Sequence, residues 1–350
     1  IINGGILFKD IFNIYGALSY QFNALLFLIF GDNINVLAFT GVLNSLVIIL
    51  SLYLISREFL NKSISFLFTI FIMFSVVFQT FLYNSNLTYT FSVVYALSSF
   101  LISLLFLIKY LKTEKLKFLY LASFFAGISF ANKYEFIFYL FVLAYTLKGI
   151  GIKNIIKSIA CFLFIPLLSY FVLFIQGLNI EDVKLSVLLL RKLITAPIIK
   201  HFFTTTSLSV FNNGIYGLFA VLPILNVILF IIYRKEIIKN KALLIFILIA
   251  IAASAKSFFC LNINHMGVFL LPVSFLAAII ILNKNFERFI PIFLTALIVM
   301  FSVEDFNSLK YKDYLLTTPK GDIYTYKKDG EQIDFVADYI FKNTKSSDKI

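Results

Sequence analysis

The chain has 350 residues, of which 61% are apolar and only 14% charged, with a mean hydropathy of +0.95. Soluble domains average roughly half apolar and about a quarter charged, so a water-soluble globule is excluded and an all-α polytopic membrane protein is expected. The net charge of +12 comes from 30 Lys and Arg against 18 Asp and Glu. Its placement reads as a topology signal and not as a nucleic-acid footprint.

Residues 1–35 form an acidic, aromatic loop that runs into an amphipathic segment at a membrane surface. No initiator Met or signal-type start precedes it, and the chain is expected to be a fragment cut at both ends. Residues 36–302 carry uncharged apolar runs at about 36–56, 63–82, 88–108, 118–131, 136–147, 154–175, 215–233, 242–259, 266–282 and 289–302. Most are long enough, at about 1.5 Å per residue, to cover a hydrocarbon core of about 30 Å.

The fourth and fifth runs are separated only by Asn132-Lys-Tyr-Glu135. Charge parity decides whether they are one helix or two. With ten crossings, one face receives Arg57 and Lys62; Lys109, Lys112, Lys115 and Lys117; Lys148, Lys153 and Lys157; Arg234, Lys235, Lys239 and Lys241; and Lys284 and Arg288. The opposite short loops hold only Lys9, Lys133 and Lys256. Merging the pair would invert every later loop, so the positive-inside rule favours ten spans with both chain ends outside.

Two outer segments are long. Residues 176–214 contain Ile180 to Lys192, read as a helix lying in the interface with Lys184, Arg191 and Lys192 available to membrane lipids. Residues 303–350 are polar and hold 9 of the 18 acidic residues. They read as the opening of a soluble outer domain, with Ile333, Val336, Ala337, Ile340 and Phe341 on one helix face.

Ionisable side chains near membrane depth are costly and mark candidate sites. Lys133 and Glu135 interrupt an apolar stretch, where they either bind a charged lipid head or neutralise one another. Lys256 and His265 flank a short outer turn and suit a phosphate, although snorkelling termini need no ligand. Asp10 stands beside Lys9, Asn13 and Tyr15 in the first loop. A carboxylate there can act as a base on an acceptor hydroxyl, hold a divalent cation, or simply form a turn. Asn86 lies in an uncharged stretch able to hydrogen-bond sugar hydroxyls. Cys161 and Cys260 sit far apart in apolar runs and read as buried hydrophobes. No P-loop, HExxH, GxSxG or Cys/His cluster supports an ATPase, zinc protease or serine hydrolase.

Gly5-Ile-Leu-Phe-Lys-Asp10, Tyr15-Gly-Ala-Leu-Ser-Tyr20 and Ala24-Leu-Leu-Phe-Leu-Ile-Phe-Gly31 resemble the first outer loop of GT-C glycosyltransferases. The nearest group is the family 39-like one, which holds protein mannosyltransferases, aminoarabinose transferases and lipopolysaccharide sugar transferases. Ala126-Gly-Ile-Ser-Phe-Ala-Asn-Lys133 is similar to that group's glycine-containing helix ending in Thr-Lys. Ala255-Lys256 and Asn264-His265-Met-Gly-Val-Phe-Leu-Leu-Pro272 are similar to its outer-loop Lys and the helix that follows.

The resemblance implies a polyprenyl-phosphate sugar donor and a lipid, glycan or protein acceptor on the outer face of a bacterial inner or plasma membrane. It implies no nucleic acid and no nucleotide sugar. By that likeness Lys256, His265, Lys133 and Lys9 bind the donor phosphate, Asn13, Tyr15 and Asn86 contact sugar or acceptor, and Asp10 is the catalytic candidate. The family's first-loop base usually lies upstream of this segment, which here would precede Ile1. Tyr15 and Leu87 replace a Lys and an acid that some members carry, which leaves any metal site open. A secondary transporter would predict repeated halves with broken, charged spans. A non-catalytic lipid-binding protein is the other alternative.

Overall fold

The computed structural model describes residues 4–77, 90–147, 149–197, 221–259, 270–318 and 320–343. They form a helical bundle followed by a hairpin and one further helix. In order, the bundle holds α1 (Leu18–Phe30), α2 (Ile34–Arg57), α3 (Lys62–Ile72, continued by a π-helical turn Met73–Val77), α4 (Phe91–Thr113), α5 (Leu116–Asn132) and α6 (Phe138–Thr146). Then come α7 (Ile152–Ile175), α8 (Ile180–Thr195), α9 (Leu222–Ile237), α10 (Lys241–Phe259), α11 (Leu276–Phe286) and α12 (Ile290–Leu309). After them follow β1 (Tyr314–Thr318), β2 (Gly321–Thr325) and α13 (Lys327–Asn343). Among the described residues α2, α4, α7 and α12 are long and apolar enough to cross a membrane, and the other apolar helices are shorter.

Asparagines start several of these helices. The side chains of Asn33 and Asn61 accept from the amides of Asn35 and Ile64, satisfying N–H groups that the helix leaves open. At α8 the cap is reciprocal: Asn179 accepts from the Asp182 amide at 2.8 Å and Asp182 accepts from the Asn179 amide at 3.0 Å.

The bundle has two chemically distinct ends. At one, Lys112 pairs with Glu58 (2.8 Å), Lys284 with Glu236 (2.5 Å), Asn61 donates to Glu287 (3.1 Å), and Tyr120 donates to Asn154 (2.8 Å). These contacts gather the five basic loops on one side. At the opposite end the first loop meets the end of α5 and the α7–α8 connection, and the β-hairpin meets the start of α2.

Helices α5 and α7 run parallel. Tyr120 meets Asn154, Gly127 meets the Phe162 backbone, and the hydroxyls of Tyr134 and Tyr170 lie 2.5 Å apart, so partners advance together along both helices. The chain between them must therefore travel back, and α6 is that return. The reversal begins at Lys133, whose extended backbone (φ −149°) ends α5 before a short 3₁₀ turn, Tyr134–Ile137.

Lipid offers no hydrophobic advantage to helix association, so close approach and hydroxyl hydrogen bonds carry it. Helix α4 is the centre: 78% of its most apolar window is buried, against 22–39% for the other three long helices. Its serines reach outward, Ser92 to Ser19 (2.6 Å), Ser98 to Asn44 (2.9 Å) and Ser103 to the Ala122 carbonyl (2.5 Å). Ser129 of α5 returns a bond to the Ala96 carbonyl at 2.8 Å.

Helix α12 continues beyond the apolar run that ends near 302, carrying the buried Asp305. The strands β1 and β2, which no pattern in the sequence announces, pair antiparallel with Tyr314 opposite Thr325. The periodic apolar face of α13 packs only in part, with Ala337 and Ile340 half-buried. Gly330 lies against the Tyr314 ring and Asp334 accepts from the Tyr314 hydroxyl, while Ile333 and Val336 stay about half exposed.

The hairpin docks on α2 through the Ile34 amide, which donates to the Lys320 carbonyl at 2.7 Å, and through the Lys320–Asp32 ion pair. Hydrogen bonding and charge from Lys320 hold the Asp32 carboxyl below its ordinary 3.8. A depressed carboxyl favours the docked state above its undocked pKa, and that contribution fades as pH falls through the docked value. Spin labels on Asp322 and Phe30 should therefore report a single distance at neutral pH and a broader one once acid protonates Asp32, below its lowered pKa. Asp32→Asn should show the broad distribution already at pH 7. An unchanged distance in acid would refute the role of this pair.

Candidate functional site

The site is built from the first loop. Its turn is tight: Phe8 sits at φ +68°, which a bulky residue rarely adopts, and the Asp10 carboxylate closes the turn by accepting from the Ile6 amide at 2.9 Å. Surrounding contacts hold that conformation. Leu7 is fully buried with Ala17, Leu173 and Leu178. The Phe8 ring stacks on Tyr170 at 5.8 Å, and its carbonyl accepts from Ser186 of α8 at 2.8 Å. Lys9 donates to the Gly177 carbonyl at 3.1 Å.

Farther along, Asn13 makes an Asx turn, accepting from the Tyr15 amide at 3.1 Å and donating to the Tyr15 carbonyl at 2.7 Å. This fixes Tyr15. Gly16 then docks on the end of α5, donating to the Asn132 carbonyl at 3.0 Å. A Cβ on Gly16 would fall within 2.9 Å of the Asn132 carbonyl carbon and overlap the Ala131 oxygen, so only glycine permits this approach.

The docking encloses Lys133. Its side chain is 3% exposed, its ammonium lies 4.7 Å above the Tyr15 ring and 3.3 Å from the Glu135 carboxylate, and Glu135 itself is 40% exposed. An aromatic face and a carboxylate together compensate the cost of taking an ammonium from water. Burial, then the nearby Tyr20, raises the Tyr15 phenol above its ordinary value, so it stays a neutral donor. The arrangement is a positive centre under an aromatic lid, with a half-exposed carboxylate at its edge. The ammonium itself is closed off, and Glu135 is the member of the pair that solvent reaches.

The structure thus brings Lys133, Tyr15 and Asn13 together. Lys9 and Asp10 belong to the same loop, but their side chains engage Gly177 and Ile6 on the α7–α8 side. Asn86 and His265 lie outside the described residues, as does the side chain of Lys256, whose backbone belongs to α10. Gly16, Ser186 and the Tyr134–Tyr170 pair were not legible beforehand. Only the adjacent small residues Gly16-Ala17 hinted at a close approach. Among the described residues no three His, Cys, Asp or Glu side chains converge on a metal position.

Helices α1 to α7, which include α5 and α7 against this loop, are also the part of the chain with a family signature. Residues 18–177 match the dolichyl-phosphate-mannose-protein mannosyltransferase family model. That is 160 of the 350 residues, over which the chain is similar to a family of mannosyltransferases. No curated protein and no solved structure matches the chain. The mannosyltransferase match begins at α1 and ends at Gly177, so it contains Lys133, Glu135 and the Gly127 contact while leaving the Phe8–Tyr15 loop just before it.

Proposed function

We propose that this protein moves a sugar from a polyprenyl-phosphate donor to a lipid, glycan or protein acceptor, at the bundle end opposite the basic loops. That end faces outward by the positive-inside rule, in a chain of ten crossings. The observation that carries the proposal is Lys133, an ammonium buried under Tyr15 at the non-basic end of a GT-C-type bundle.

In the transfer an acceptor hydroxyl attacks the anomeric carbon, and the bond from that carbon to the phosphate oxygen breaks. Negative charge gathers on the departing polyprenyl phosphate, where an ammonium in a water-poor site is most effective. The acceptor proton passes to a carboxylate. Asp10 is one candidate for that base, with one oxygen committed to the Ile6 amide, and the half-exposed Glu135 is the other. Lys9, Lys256 and His265 remain candidates for the phosphate, and Asn13, Tyr15 and Asn86 for sugar or acceptor.

The intact protein in proteoliposomes should consume a polyprenyl-phosphate sugar and release polyprenyl phosphate. Asp10→Asn and Glu135→Gln then separate the two bases: loss of the true general base should slow transfer by about 10²–10⁴-fold. No consumption by the wild-type protein, across hexose and pentose donors, would overturn the proposal.

A further inference from the structure

The structure holds a second feature at the opposite, basic end of the bundle, away from the loop site. A cavity of about 620 Å³ lies between α5, α6 and α7. Its walls are almost wholly apolar, and the exposed side chains of Tyr145, Ile159 and Leu163 form lips toward the bilayer. Two wall residues, Ser123 and Ser158, are polar, and the second is the telling one. The Ser158 side chain is 2% exposed, and its hydroxyl has no hydrogen-bond partner among the described residues. Helical serines ordinarily bond back to a carbonyl one turn earlier, so a buried hydroxyl left open costs free energy until a ligand accepts from it.

Depth tells what that ligand is. Ser158 stands six residues into α7, about 9 Å along the axis from its first residue. The interfacial layer of a bilayer is about 5–8 Å deep on each side, so with the start of α7 set at the membrane surface Ser158 falls close to the layer's inner boundary, the level of glycerolipid ester carbonyls. The surroundings above are positive. Helix α7 starts at Gly151 with no side-chain cap and no acid in its first turn, which leaves amides and the positive end of the helix dipole open. Lys157, one residue before Ser158 and about 100° around the helix, is exposed, as is Lys153. Their long stems let the ammonium groups reach the headgroup layer.

We infer that an anionic glycerophospholipid of the basic-end leaflet binds here, one acyl chain in the α5–α6–α7 cavity, an ester carbonyl on the Ser158 hydroxyl, and its phosphate above the start of α7. The site is separate from sugar transfer and stands whether or not that reading does. The lipid fills space beside α6, the short return helix, and so braces the reversal that begins at Lys133.

The test uses intact protein in mild detergent, offered phosphatidylglycerol, phosphatidylcholine or a polyprenyl phosphate, with bound lipid counted by native mass spectrometry. Phosphatidylglycerol should be retained. Ile159→Trp, which closes the cavity mouth, should remove most of it, and Ser158→Ala should lower retention by about fivefold, the effect of one neutral hydrogen bond. Ile175→Trp, at the far end of α7, should change nothing. Ser158→Ala removes a single oxygen and keeps the test valid even if the Trp variant folds poorly. Equal retention by Ser158→Ala and wild type would overturn the inference. So would retention of phosphatidylcholine as strong as that of phosphatidylglycerol, or displacement by polyprenyl phosphate at equal concentration.

Discussion

Lys133→Met should lower sugar transfer by about 10²–10³-fold while leaving the protein folded, the loss seen when one preorganised donor to developing negative charge is removed. Methionine keeps the length and the contact with the Tyr15 ring but not the charge. The alternative is that Lys133 serves only to neutralise Glu135. In that case, and provided Glu135→Gln alone stays active and so is not the base, the double variant Lys133→Met, Glu135→Gln should recover activity, because no charge is left unpaired. If Lys133 meets the departing phosphate, the double variant stays inactive. Recovery of more than about a tenth of wild-type turnover would assign the lysine to structure, since a transition-state contact cannot be restored by neutralising its neighbour.

Gly127→Val is the second large effect, and it acts on stability. A Cβ at this position would stand 2.9 Å from the Phe162 carbonyl carbon, 3.2 Å from the Phe162 Cα, and overlap the carbonyl oxygen. These are backbone atoms in the middle of α7, so no side chain can swing aside and the helices must separate. Overpacking typically costs about 1–3 kcal/mol, and a clash with backbone should reach the upper end or exceed it. Thermal unfolding in detergent should show the loss. Gly151→Ala is the control, because a Cβ there meets nothing within 4 Å at φ −58°, and it should cost no more than about 1 kcal/mol, the penalty of alanine at a helix N-cap. Equal stability of the two variants would mean that α5 and α7 do not pack through Gly127. The same separation should displace Lys133, six residues on, so transfer should fall in step with stability.

The site's polar neighbours and its apolar frame were legible to different degrees. Lys133 and Glu135 drew attention because charge interrupts an apolar stretch, and burying charge is costly wherever the chain goes. Nothing local, however, announced that Tyr15 would cover Lys133, more than a hundred residues later. Asp10 read as a base, a cation ligand or a turn former, and the folded loop shows it in a turn, accepting the Ile6 amide beside Phe8 at positive φ. The apolar periodicity of α13 correctly marked a helix but not the contact, since Gly330 and Asp334 meet Tyr314 from a neighbouring face.

The sequence by itself determined that this chain is a membrane-spanning helical bundle with one strongly basic end. Hydrocarbon admits only helices or barrels, and charge asymmetry between loops is a local, additive property that survives without any contact. The tertiary structure alone decided which groups meet. It placed α5 and α7 in parallel, the Gly16 backbone on Asn132, Tyr15 over Lys133, and the hairpin on Asp32. Such contacts join residues far apart in the chain through single hydrogen bonds, ring faces and missing Cβ atoms, which impose no period on the sequence.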